Sequence, residues 1–204
     1  MKYIKSLLAL AVATSAFGAQ AATELVTNGS FEQLSVASPL GGYLKVASGD
    51  TTITGWTVGS KSVDVINNAY GAIDGNSIDM LGTPGPGSLS QLLSTVANQT
   101  YQLSFDLSYN GGAYKDINFA FGTSTNTAAA TSSSSPFFHY SGTYTAAGAT
   151  TLLAFYSTGG SNNSGVVLDN VSVTVVPEPE SYAMLLAGLG LMGAIARRRT
   201  ARES

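Results

Sequence analysis

The chain has no cysteine among its 204 residues, so thiol catalysis, disulfide staples and thiolate metal centres are excluded. Its fold must be held by a packed core, with or without a metal. Histidine occurs once, as His139, and tryptophan once, as Trp56. A serine triad or a zinc centre would have to be built around His139 alone, and neither Gly-x-Ser-x-Gly nor His-Glu-x-x-His occurs. Positive charge is scarce as well. Over residues 22–176 the cations are Lys45, Lys61 and Lys115, against Glu24, Glu32, Asp50, Asp64, Asp74, Asp79, Asp106, Asp116 and Asp169, a net charge of −6. That balance excludes nucleic acid as a partner, because phosphate neutralisation needs clustered Lys and Arg. No useful length of this region carries an amphipathic helical period.

What is present is clearest at the two ends. Lys2 and Lys5 precede an apolar run over residues 7–17, and Ala19-Gln20-Ala21 places small residues at a cleavage position. This is the order of a secretory signal peptide over residues 1–21, removed by signal peptidase to leave a chain that starts at Ala22. At the other end, Pro177-Glu178-Pro179 favours extended backbone, since each ring fixes φ and keeps the preceding residue out of the α region. A protease can read such a segment. An uncharged apolar stretch over residues 181–196 follows, then Arg197-Arg198-Arg199. A rise of ~1.5 Å per residue makes the apolar stretch roughly 24 Å long, short of a ~30 Å hydrocarbon core unless flanking residues snorkel or the bilayer thins. It reads as a marginal transmembrane helix with a basic stop-transfer end. The positive-inside rule keeps the arginines cytoplasmic and places everything before Pro177 on the far side of the membrane. The expected organisation is a signal peptide (1–21), one domain (22–176) and a sorting and anchoring tail (177–204).

The body between these ends combines Gly, Ser, Thr and Asn with Val, Leu, Tyr and Phe, the mixture of turn formers with β-branched and aromatic residues that an all-β domain needs. Its length suffices for one domain with a core. In Tyr101-Gln102-Leu103-Ser104-Phe105-Asp106-Leu107-Ser108-Tyr109 the odd positions are apolar and the even ones polar, the period of a strand with one buried face. Further strands are predicted over 52–58, 62–66, 77–81, 88–93, 117–121, 137–144, 150–156 and 166–175. Asp74-Gly75-Asn76 and Asn110-Gly111-Gly112 mark turns between them. This many short strands in one domain predicts a jelly-roll β-sandwich. The Thr, Ser, Asn and Ala run over 123–135 reads as a mobile surface loop, because its composition offers nothing to bury.

Two resemblances follow from these motifs. Val176-Pro177-Glu178-Pro179, the apolar helix containing residues 187–192 and the basic end together resemble the PEP-CTERM sorting signal of Gram-negative bacteria. That resemblance implies recognition by an exosortase, a membrane-embedded cysteine transpeptidase, and a link to exopolysaccharide production. In the body, Leu25-Val26-Thr27-Asn28-Gly29-Ser30-Phe31-Glu32, Ile53-Thr54-Gly55-Trp56, Asp74-Gly75-Asn76-Ser77-Ile78-Asp79 and Leu168-Asp169-Asn170-Val171-Ser172-Val173, in that order, are similar to the choice-of-anchor C domain. That domain is related to plant cell-wall proteins of uncharacterised function and to galactose-binding-like jelly rolls. The resemblance implies the jelly roll and a glycan-rich setting, but no reaction.

In the carbohydrate-binding jelly rolls that the body resembles, an Asn-Gly-x-Phe-Glu segment and an Asp of the final strand meet at a structural calcium. The resemblance therefore implies Glu32 and Asp169 as ligands with carbonyls near Asn28 and Gly29, a set that suits an ion taking about six to eight oxygens. The alternative is that Glu32 caps a turn and Asp169 accepts backbone hydrogen bonds. Asp74, Asn76 and Asp79 form a second acidic loop, which a turn with outward carboxylates accounts for. A sugar would stack on an aromatic ring and hydrogen-bond to Asp, Asn or Gln. Trp56 lies on a predicted strand and is expected in the core, whereas Tyr43, Tyr70, Tyr109 and Tyr114 lie near strand ends or Gly-rich turns, where binding residues sit. Tyr109, Asn110 and Tyr114 are the first choice for glycan contact. His139 is expected to be solvated or hydrogen-bonded.

These observations predict an exported, non-catalytic protein, anchored in the inner membrane as a precursor and then found at the cell surface or outside the cell. Its setting is an exopolysaccharide matrix, with carbohydrate binding as a subsidiary expectation, and no catalytic residue is assigned. Two rivals remain: a structural or adhesive protein without a sugar site, and a carbohydrate-active enzyme, since the acids are numerous enough for a catalytic pair to meet in space.

Overall fold

Tyr101, Leu103, Phe105 and Leu107 are buried, Tyr109 is half-buried, and Gln102, Ser104 and Asp106 lie on the opposite face, so the alternation read from the sequence is the alternation of a strand. The computed structural model describes residues 23–39, 41–111, 115–159, 163–177 and 179–200. The expected signal peptide, Tyr114 and Glu178 lie outside the described residues. The strands are β1 (Tyr43–Ala47), β2 (Thr57–Val58), β3 (Ser62–Asn67), β4 (Asn76–Asp79), β5 (Ser88–Ser94), β6 (Thr100–Tyr109), β7 (Asp116–Phe121), β8 (Ser124–Ala129), β9 (Phe138–Thr145), β10 (Thr150–Ser157) and β11 (Val166–Val175), followed by the helix α1 (Pro179–Thr200). They form a six-stranded sheet, β1-β3-β4-β11-β6-β9, and a five-stranded sheet, β2-β5-β10-β7-β8. Neighbouring strands pair antiparallel throughout. From β4 to β7 and again from β8 to β11 the chain crosses between the sheets at each step, the winding of a jelly-roll β-sandwich.

The two sheets meet at Phe105 of β6. Its ring meets Phe119 of β7 at 5.1 Å and Phe155 of β10 at 5.3 Å edge-on, and stacks on Tyr140 of β9 at 4.7 Å. Trp56 is a core residue, as expected: it lies 5.5 Å from Phe31, and its indole N–H donates to the Asn28 carbonyl at 3.0 Å.

The first and last segments of the body are joined. Leu25 N donates to Val173 O and Val171 N to Gly29 O, both at 2.9 Å. A Cβ on Gly29 would run into the Val171 carbonyl, so this approach requires glycine. The β11 register shifts between Asp169 and Ser172, where Asn170 has φ 52°, a bulge that re-aims the side chains around it.

Three expectations change. The strand expected over 52–58 shrinks to an isolated bridge at Ile53 and the short β2, because Gly55 turns the chain at φ 81°. Strand β8 occupies part of the run expected to be a loop. Its side chains are exposed except for Ala128, and it is held by backbone pairing to β7 from Asp116↔Ala129 to Phe121↔Ser124. An edge strand needs a backbone partner more than an apolar face. Helix α1 contains the apolar stretch 181–196, yet among the described residues no helix is long and apolar enough to cross a membrane.

Candidate functional site

Strands β3 and β4 present Val63, Val65 and Ile78 to the core, which sends the intervening Asp64 and Asp79 to the outer face of the six-stranded sheet. Their antiparallel register sets Asp64 directly opposite Asp79. Both are buried there by loops. Asp79 Oδ1 accepts from Leu81 N at 2.9 Å and Oδ2 from Asn110 Nδ2 at 2.8 Å. Asp64 Oδ1 accepts from Thr83 N at 3.2 Å and Oδ2 from Thr83 Oγ1 at 3.0 Å. Burial pushes the Asp79 carboxyl up to about 7 against these donors, and the neighbouring Asp64 charge adds to the rise. Burial raises Asp64 too, opposed by Thr83 and by the charge of Lys45.

The two carboxylates line a cleft of about 240 Å³ together with Tyr43, Tyr70, Thr83, Asn110, Asn163 and Ser164. Tyr43 and Tyr70 sit edge to face, 6.3 Å apart, and are 54% and 47% exposed. Tyr70 holds φ 56°, uncommon for an aromatic residue. Its loop is tied down where Ser108 Oγ donates to the Gly71 carbonyl and Ala72 N to Ala69 O.

Of the residues expected to touch glycan, Asn110 lines this cleft and Tyr109 does not. The Tyr109 ring packs on the core and carries Lys115 Nζ 4.0 Å from its centre. The expectation for Tyr114 falls outside the described residues. Asp64 and Thr83 escaped the sequence reading. The available signal was an acid flanked by Val63 and Val65, inside a run otherwise suited to a buried strand.

Glu32 and Asp169 meet at the Asp74-Gly75-Asn76 turn. Glu32 Oε1 accepts from Asn76 N at 2.6 Å. Asp169 Oδ2 accepts from Ser77 Oγ at 2.9 Å and Asp74 N at 3.3 Å, and Oδ1 from Asn170 N at 2.7 Å. Asp169 is fully buried, and that burial lifts its carboxyl to about 7 with a contribution from the Glu32 charge. The acidic loop read as one outward-facing turn is therefore divided: Asp74 and Asn76 join Glu32 and Asp169, whereas Asp79 is buried under the cleft. Asn28 and Gly29 are engaged elsewhere. The Asn28 carbonyl accepts from Trp56 Nε1 and Phe31 N, the Gly29 carbonyl from Val171 N, and the Asn28 amide bridges Gln33 and Thr54. These two residues shape the loop that delivers Glu32. Among the described residues no group of three or more acidic or histidine side chains is placed to hold a metal. His139 is hydrogen-bonded, its Nδ1 2.7 Å from Asp106 Oδ1 at the surface.

The family described as "Protein of unknown function (DUF642)" matches residues 24–174, and the PEP-CTERM protein-sorting motif matches residues 175–199. No curated protein matches the chain. Among solved structures the chain is similar to one described as "CBM4 structure and function", at 17% identity and a TM-score of 0.44, covering 74% of this chain and 99% of that one. It is also similar to the CBM22-1 xylan-binding domain from Paenibacillus barcinonensis Xyn10C, at 20% identity and a TM-score of 0.42 over 70% of this chain and 99% of that one. A third is the arabinose-bound MgGH51 α-L-arabinofuranosidase, at 10% identity and a TM-score of 0.47, of which the chain covers 26% while 74% of this chain is covered.

Proposed function

The chain belongs to the DUF642 family and carries a PEP-CTERM sorting motif, and from that premise we propose an exported surface protein that binds carbohydrate without transforming it. The observation that carries this reading is the cleft. Two exposed tyrosines line the same cleft as two carboxylates, an amide and a hydroxyl. A pyranose offers a C–H face to an aromatic ring and hydroxyls to such acceptors and donors, and ligand sites commonly combine an apolar wall with a few convergent polar groups. Asp64 and Asp79 are each held by a backbone amide and a side-chain donor, which fixes the acceptors a sugar hydroxyl would meet.

In this reading signal peptidase removes the N-terminal segment, and an exosortase cuts near Pro177-Glu178-Pro179. The body is then passed to an exopolysaccharide matrix. We also infer a structural calcium held by Glu32 and Asp169. Their hard oxygen donors fit such an ion, and the buried Asp169 has no cation beside it among the described residues, where the one ion pair is that of His139 with Asp106. Bound there, calcium would supply the positive charge these two carboxylates lack.

A glycan array probed with the exported protein and with a Tyr43→Ala, Tyr70→Ala double variant tests the binding reading. At least one glycan should bind, with affinity falling about tenfold or more in the variant, a loss of about 1.4 kcal/mol. Absence of binding to every glycan would favour the adhesive rival. Release of reducing ends from the host polysaccharide would favour the enzyme.

A further inference from the structure

We infer that the cleft at Tyr43, Tyr70, Asp64 and Asp79 selects a sugar bearing a free amino group, a hexosamine bound as its ammonium. The inference rests on the glycan-binding reading and narrows it to a ligand class. Like charges directly opposite each other on neighbouring strands destabilise a sheet, yet Asp64 and Asp79 occupy such positions on β3 and β4. No cation offsets them inside the cleft. Lys45, the cross-strand neighbour of Asp64 on β1, offsets part of the Asp64 charge from the surface, but its side chain is exposed, does not line the cleft and makes no ion pair among the described residues.

The carboxylates still have acceptor capacity. Each offers about four lone-pair sites. Asp64 uses one oxygen for Thr83 N and the other for Thr83 Oγ1, and Asp79 accepts from Leu81 N and Asn110 Nδ2. A sugar hydroxyl would fill a lone pair and add no positive charge. An ammonium supplies three donors together with a positive charge, and charge-assisted hydrogen bonds are roughly twice as strong as neutral ones. The aromatic lining agrees with the carboxylates. Tyr43 and Tyr70 present aromatic rings in the same cleft, and ring faces attract a desolvated cation through their quadrupole. N-acetylation would remove the charge and two of the three donors. A uronic acid would bring a further negative charge to a site that already disfavours one.

The test is calorimetric titration of the exported protein, purified as its host processes it, with four tetrasaccharides: β-linked glucosamine, its N-acetylated form, cellotetraose and tetragalacturonate. The glucosamine tetramer should bind about tenfold or more tighter than either neutral tetramer, and tetragalacturonate should not bind. Asp64→Asn is nearly isosteric and keeps an acceptor for Thr83 N. It should shrink the preference to less than about threefold while neutral sugars still bind. The contrast between the amine and its N-acetylated form needs no variant, so it stands even if Asp64→Asn does not fold. Equal affinity for amino and neutral tetramers, lost in Tyr43→Ala, would overturn the amino-sugar inference and leave the glycan reading intact. No binding by any tetramer would overturn both. Asp64-dependent binding of calcium alone, with no amine preference, would assign the cleft to a metal and overturn the inference.

Discussion

Asp79 is a carboxylate placed where its charge is disfavoured, and that placement dictates how stability varies with pH. Its folded-state value of about 7 lies above the ordinary 3.8, so between the two the folded chain keeps a proton that the unfolded chain releases. Stability is therefore greatest at and below about pH 4 as far as this group is concerned, and falls as pH rises towards 7. The loss is on the order of 4 kcal/mol at most, since each pH unit separating the folded and unfolded values is worth ~1.4 kcal/mol. Asp64 contributes with the same sign. Thermal melts of the metal-free protein should show a falling Tm between pH 4 and pH 7, and Asp79→Asn should flatten the slope; a Tm that climbs across this window would contradict the assignment. At the centre of the core, Phe105→Ala should cost about 3 to 5 kcal/mol in denaturant unfolding, whereas Ser104→Ala on the opposite face should be near neutral. Equal costs would refute the strand register. Phe105 and Trp56 were legible in the sequence because alternation is a local property. The opposition of Asp64 and Asp79 was not, because it depends on how β3 and β4 align across the loop between them.

Strand β11 is the element that joins everything. It pairs with β4 and β6, receives the N-terminal segment and carries Asp169 at its bulge. A calcium at Glu32 and Asp169 would bind the folded chain and not the unfolded one, adding about 2.7 kcal/mol at a hundredfold excess over its Kd. Chelation should lower the Tm at pH 7, and Glu32→Gln or Asp169→Asn should each remove that sensitivity; superimposable wild-type melts with calcium and with chelator would contradict the metal. Most strands were legible to within a residue or two because their apolar residues repeat at the strand period. The two that were missed, β1 and β8, are edge strands. They are bonded on one side only; β8 is exposed except for Ala128, and β1 is only five residues long with Leu44 and Val46 turned inward, too short an alternation to mark a strand.

Across the whole molecule, β11 runs from the cleft to the sorting motif. Asn163 and Ser164 line the cleft just before its first residue, and Val176 closes its far end, where Val176 N donates to Thr100 O and Gln99 Nε2 to Val176 O. At ~3.3 Å per residue the strand runs roughly 33 Å, so the cleft lies at the end of the sandwich away from Pro177. A ligand bound in the cleft would therefore sit at the opposite end of the sandwich from the sorting motif. In a strain with an exosortase, Glu178→Ala should leave the precursor uncut on an immunoblot, and unchanged processing would count against the sorting role of that residue. The tail was legible because a sorting signal is read as linear sequence. The cleft was not, because it is gathered from β1, β3, β4 and the loops around Tyr70, Thr83, Asn110 and Ser164. The most direct test is co-sedimentation of the exported protein with the exopolysaccharide of its own host: the account predicts saturable binding that weakens about tenfold or more in the Tyr43→Ala, Tyr70→Ala double variant, and binding that is absent or indifferent to both tyrosines would contradict it.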